Sequence, residues 1–168
     1  MKKYKDYIII ITILFLIFIS ITVLSNLNKS DKKIINEITY QIETNYSNFF
    51  TVNSCITKYV EYLSKKDTDS LLEVIDKNYI NSNNINKTNL YNYVDDISGI
   101  YSFTSKKMYK SDNEKIIKYY VFGYLKEENI DGIVGVEDKY FILNLDEDNL
   151  TFSIIPSNKS EFSEVENG

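Results

Sequence analysis

The sequence predicts an α+β chain: an N-terminal transmembrane helix, then a domain of about three helices followed by an antiparallel sheet of four or five strands. Three observations predict it. An uncharged apolar run opens the chain, and apolar residues then recur at helical spacing. From residue 100 onward the period changes to segments rich in β-branched and aromatic residues.

The apolar run "YIIIITILFLIFISITVLS", residues 7–25, is 19 residues long and carries no charge. As a helix it reaches roughly 28 Å at about 1.5 Å per residue, close to the hydrocarbon thickness of a bilayer. Within it Thr12, Ser20 and Thr22 carry hydroxyls that can bond back to their own helix. A cleavable signal peptide would share the basic start, and Val23-Leu24-Ser25 is a passable cleavage pattern, but the run exceeds the roughly 7–15 apolar residues of such a leader. No Cys follows closely enough for lipoprotein processing. The Gly and Glu that open a type IV pilin helix are missing.

Residues 1–6 are then a short basic cytoplasmic head. Lys2, Lys3 and Lys5 precede the span while Lys29, Lys32 and Lys33 follow it, so the flanking positive charge nearly cancels. A head this short before a single span favours export of the remainder. From residue 28 onward, 16 lysines face 23 acidic residues, a net charge of −7. That balance argues against nucleic acid and against docking on anionic lipid. The lipid bilayer, through residues 7–25, is the one partner read directly from the residues.

Residues 26–48 form a connector with two open readings. Ile34, Ile35, Ile38 and Ile42 fit a helical stripe, and Ile38, Tyr40 and Ile42 alternate as a strand does. In the next segment Phe49, Val52, Ile56, Tyr59 and Leu63 recur at helical spacing, with Phe50, Cys55 and Val60 widening the same face. "SKKDTDS" then separates this helix from a second one carrying Leu71, Leu72 and Ile75. Asp67 is placed to cap the second helix, Ser70 and Glu73 offer a competing capping box, and Asp69 falls in the first turn. A short third helix is expected around Leu90, Tyr91 and Val94, capped by Asn86 or Thr88 and stopped by Gly99.

Strands are expected in "IYSFTSKKMY" and in "KIIKYYVFGYL", the latter apolar on both faces and so central, with Gly123 marking a bulge or bend. "KEENIDGIVGVEDK" reads as a loop. "YFILNL" and "LTFSII" form a hairpin around "DEDN", Pro156 ends the last strand, and residues 157–168 are expected as a disordered tail.

Composition narrows the chemistry. The chain has no His, Arg, Trp or Ala, while Ile, Asn, Lys and Tyr, whose codons are AT-rich, abound. The many Asn and Tyr residues, and the sequons at Asn28, Asn45, Asn86, Asn149 and Asn158, follow from that bias. Without His there is no imidazole base and no His-containing metal site. Without Arg there is no bidentate fork for phosphate. The lone cysteine, Cys55, cannot close an intramolecular disulfide and reads as a buried small hydrophobe. Asp146, Glu147 and Asp148 are acidic but lack the Gly and further acids of a calcium loop. No catalytic residue, no cofactor-binding residue, no metal ligand and no cofactor is assigned.

The segment "YVEYLSKKDTDSLLEVID" resembles the opening of the nuclear transport factor 2-like superfamily, in which a long helix ends at an Asp-bearing corner and a Leu-rich helix follows. The resemblance covers residues 49–156. It implies a cone in which a curved antiparallel sheet wraps the first helix. One anchor plus one such exported domain is similar to the bitopic assembly proteins of type IV secretion and Gram-positive conjugation. "FFTV..C", "LL..ID..YI" and "TFSIIP" also resemble stretches in membrane proteins of low-GC Gram-positive bacteria. What the resemblance implies is a non-enzymatic, extracytoplasmic scaffold domain with protein partners in the cell envelope, and possible homo-oligomer formation. The alternative it implies is a small-molecule or peptide sensor using the cone cavity.

Overall fold

A computed structural model describes residues 32–35, 38–111 and 116–167. The expected span at 7–25 and the head at 1–6 lie outside the described residues. Among those described, no helix is long and apolar enough to cross a membrane. The fold that follows is that of the unit Lys33–Gly168.

The architecture is α+β. Strands β1 (Lys32–Ile35) and β2 (Ile38–Ile42) are followed by helices α1 (Tyr46–Ser64), α2 (Thr68–Val74) and α3 (Lys77–Ser82) and a 3-10 turn at Leu90–Asn92. Then come β3 (Ile100–Ser111), β4 (Ile117–Asn129), β5 (Gly132–Asp146), β6 (Thr151–Ser157) and helix α4 (Lys159–Asn167). The six strands lie side by side in chain order, and the registers from β2 to β6 are antiparallel. Four strands come from the segments read as strands or hairpin; the other two come from the connector, which resolves its open reading in favour of strand. β2 pairs with β3 through Tyr40↔Ser111 and Ile42↔Tyr109.

Helix α1 starts where Asn45 Oδ1 accepts the Ser47 amide at 2.9 Å. It turns Val52, Ile56, Tyr59, Val60 and Leu63 onto one face of the sheet, each no more than 1% exposed. Facing them are Met108, Tyr119, Val121 and Leu143, all fully buried. Phe50, expected on this stripe, is instead 67% exposed. It sits near the start of α1, on the flank turned away from the sheet.

The opposite face of the sheet is covered by α4. Residues 157–168, expected as a disordered tail, therefore need correction. Phe162 and Val165 are 4% and 2% exposed and pack on Tyr40, Tyr109, Tyr120, Phe122 and Tyr140. Phe122 and Tyr140 stack with centroids 5.1 Å apart, and Phe162 lies 5.7–6.0 Å from Tyr109, Tyr140 and Phe122. Two apolar side chains in an otherwise polar sequence were enough, because a central strand greasy on both faces needed a second cover.

The stretch "KEENIDGIVGVEDK", read as a loop, is mostly strand. β4 continues to Asn129 and β5 resumes at Gly132, with Asn129 Oδ1 accepting the Asp131 amide at 2.8 Å in the turn and Gly132 at φ +122°. Ile133, Val134 and Val136 favour extension. Gly135 makes no turn; it pairs with Glu127 next to a bulge, since Ile133 pairs with Glu128 and leaves Val134 over. Gly123 is required by close approach: a Cβ there would stand 2.4 Å from the Phe103 ring and 2.5 Å from the Thr104 carbonyl. The expected bulge lies on the neighbouring strand, between Ser105 and Lys107, with Ser105 opposite Gly123.

Candidate interaction surface

The residues singled out in the sequence serve the fold. At the corner, Lys66 takes φ +57° and Asp67 Oδ1 accepts the Ser70 amide at 3.2 Å while Oδ2 accepts the Ser70 hydroxyl at 2.7 Å. Those hydrogen bonds from Ser70 hold the Asp67 carboxyl below its ordinary range. Asp67 is thus the cap, and Asp69, in the first turn of α2, pairs with Lys87. Cys55 is half-buried and unpaired, its thiol pushed up by burial against the small opposing effect of Lys58. Asp146 holds the β5–β6 turn by accepting from the Asn149 amide at 3.0 Å and its side-chain amide at 2.8 Å. Among the described residues no group of three or more Cys, Asp or Glu side chains is placed to hold a metal ion.

Two structural carboxylates were missed. Glu43 is the one buried carboxylate among the described residues, 5% exposed. Its oxygens accept from the Asn45 amide and the Asn48 side chain, both at 2.7 Å, with Lys110 at 3.5 Å. Burial alone would raise its pKa, but these donors and the lysine outweigh it and the net direction is down. That is opposite to a carboxyl tuned to donate a proton. Asp76 caps α3 through the Asn78 and Tyr79 amides and also accepts from Asn144 at 3.2 Å and Ser153 at 3.1 Å. The signal for both was an acid just ahead of a helical stretch.

The space between α1 and the sheet is filled. Tyr59 and Tyr119 stand in it fully buried, their hydroxyls without a hydrogen-bond partner. Burial pushes the Tyr119 phenol up to about 12, helped by Glu43 and Glu147, and pushes Tyr59 higher still. Both rings are neutral packing elements at ordinary pH. Open grooves lie outside: one of about 430 Å³ beside α4, floored by Phe122, Tyr140 and Phe162, and one of about 350 Å³ beside Asp76 and Ser153.

What the fold leaves uncovered is an arm. Pairing of β5 with β6 ends at Tyr140↔Ser157, and pairing of β3 with β2 begins only at Tyr109. Beyond those points β3, β4 and β5 run on as three strands. On this arm Ile130 is fully exposed, Ile100 is 66% exposed, and Ile133, Val134 and Val136 are each more than half exposed. Register places Ile100, Glu128 and Ile133 in one cross-strand row and Ser102, Lys126 and Val136 in another, with the row of Tyr101, Glu127 and Gly135 between them. Charged side chains stand among them: register puts Glu128 between Ile100 and Ile133 and Lys126 beside Val136, with Glu127, Asp131, Glu137, Asp138 and Lys139 elsewhere on the arm. Lys139 is already committed, to Asp95 at 2.6 Å and Glu137 at 3.2 Å. Its pKa is raised because these carboxylates outweigh its burial. The arm therefore combines exposed apolar side chains with a net negative charge. Its sequence signal was the cluster Ile133, Val134 and Val136, which turn residues on both sides disguised as a loop.

Compared with known proteins, the chain matches no family model, and no curated protein or solved structure matches it significantly.

Proposed function

We propose that this protein is a membrane-tethered, non-enzymatic interaction domain working outside the cytoplasm in a cell-envelope assembly of the secretion or conjugation type. Residues 7–25 supply the tether and a nuclear transport factor 2-like domain supplies the binding body. The observation that carries the reading is the arm: five large apolar side chains at Ile100, Ile130, Ile133, Val134 and Val136 stand more than half exposed on one projecting hairpin and its neighbour. Exposed β-branched residues gathered on strands lose stabilisation in isolation and gain it under a partner. Protein partners are favoured over anionic lipid by the arm's excess of carboxylates.

The test is cross-linking of the full-length protein in cells, followed by affinity isolation and mass spectrometry, beside a variant with serine at Ile130, Ile133, Val134 and Val136. Recovery of envelope-machine neighbours that disappear with the serine variant supports the reading. The same neighbours at the same yield from both proteins, or none from either, overturns it. The sensor alternative would use the groove beside α4, since the space against α1 holds buried side chains.

A further inference from the structure

The arm also shows how a partner would dock. β5 pairs with β4 from Gly132 to Leu145 but with β6 only from Tyr140 onward. The second edge of β5 over Gly132–Lys139 therefore carries main-chain donors and acceptors with no strand beside them among the described residues. Apart from half-buried Gly135 and Lys139, the segment is exposed.

Other edges of the same sheet are guarded. Along β3, the Ser105 amide is taken by Asn53 Oδ1 of α1 at 2.9 Å, beside a bulge. Along β6, Pro156 has no amide hydrogen to offer, the Ile154 carbonyl accepts from the Asp76 amide at 3.0 Å, and Ile75 bridges Ile154 in parallel. These are the devices by which sheets suppress edge-to-edge pairing. On β5 the bulge at Val134 blunts the tip, but Gly135–Lys139 keep an unbroken register with Gly123–Glu127 and carry neither a proline nor a bridging segment among the described residues; their guard is the charge of Glu137, Asp138 and Lys139, which an oppositely charged strand would satisfy.

We propose that the Gly135–Lys139 edge of β5 receives an extended, lysine-bearing strand of a partner protein, continuing the sheet by one strand. This rests on the interaction reading above and specifies its mode. Main-chain hydrogen bonds supply the docking and alternate side chains the selection. Val136 takes a β-branched neighbour on one face, and Glu137, on the other, takes a cation across the strand pair. A second copy of this chain is disfavoured as occupant, because each arm brings Glu127, Asp131, Glu137 and Asp138 against their like.

The experiment uses the full-length chain in detergent micelles, with amide resonances followed during titration by a capped short peptide alternating valine and lysine. A peptide alternating valine and glutamate is the control. The expected result is saturable shifts and slowed amide exchange confined to Gly132–Lys139, with the lysine peptide bound about tenfold tighter than the acidic one. In the double variant Glu137→Lys, Asp138→Lys that preference reverses. Equal binding of both peptides, shifts centred on α1 or α4, no binding, or arm resonances that move with protein concentration alone would each overturn strand addition. If the serine variant still loses its cellular neighbours while the edge takes no peptide, the interaction reading stands and only the docking mode falls. If neighbours are retained by the serine variant, the interaction reading falls whatever the peptide does.

Discussion

The two ends of the β4–β5 hairpin differ more than their sequences do. At its root, Tyr119, Val121 and Leu143 lie fully buried under α1 while Tyr120, Phe122 and Tyr140 turn the other way beneath α4. At its far end, Ile130, Ile133, Val134 and Val136 are as β-branched or apolar as anything at the root, yet more than half exposed. The root is buried because two helices reach it. The far end is bare because neither does. Apolar content alone thus decides only that a segment extends; coverage decides whether it becomes core or contact surface.

The sharpest way to break this contrast is a pair of truncations. Leu143→Ala at the root removes side-chain atoms from a filled interior and should cost about 2–5 kcal/mol, read as a lowered midpoint in chemical denaturation. Ile133→Ala on the arm should move the midpoint by no more than about 0.5 kcal/mol. Equal losses would mean that the arm is a structural part of the domain. A second pair uses glycines. Gly123→Ala drives a methyl into the Phe103 ring and the Thr104 carbonyl and should destabilise by about 1–3 kcal/mol. Gly135→Ala meets only the flexible Glu127 side chain at 3.5 Å and should be neutral or mildly stabilising.

Glu43 sharpens the root side of the contrast through pH. Its pKa is lowered in the folded chain, so it stabilises the fold at pH values above its unfolded pKa of about 4.3. That stabilisation is lost as pH falls through the depressed folded value. Glu43→Gln should therefore cost about 1–3 kcal/mol at neutral pH, with the gap to the parent protein closing in acid. A gap independent of pH would assign the loss to shape rather than charge. The smallest effect belongs to the arm's carboxylates: Asp138→Asn should leave the thermal midpoint unchanged at neutral pH.

The α1 stripe and the Asp67 corner were legible in the sequence because each is a local pattern: a period near 3.6, and an acid at the end of one apolar run and the start of another. The alternation in "KIIKYYVFGYL" even gave the two-sided burial of β4. What escaped reading depends on distant partners. Phe162 and Val165 make a helix worth forming only because Phe122 and Tyr140 stand behind them, some 20 to 40 residues away in sequence. The connector settled as strand because β3 offered it an edge. The arm hid behind Gly132 and Gly135, of which only the first makes a turn.

The order of the strands in the sheet is their order in the chain, and that has a kinetic consequence. Pairings β3–β4, β4–β5 and β5–β6 each join neighbours in sequence, so most of the sheet zips with small loop-closure entropy. Two closures are long: β2 onto β3, which must span the three helices, and Ile75–Asp76 onto Ile154. The slow, search-limited events in folding are therefore those two, and they fasten opposite flanks of an already assembled meander.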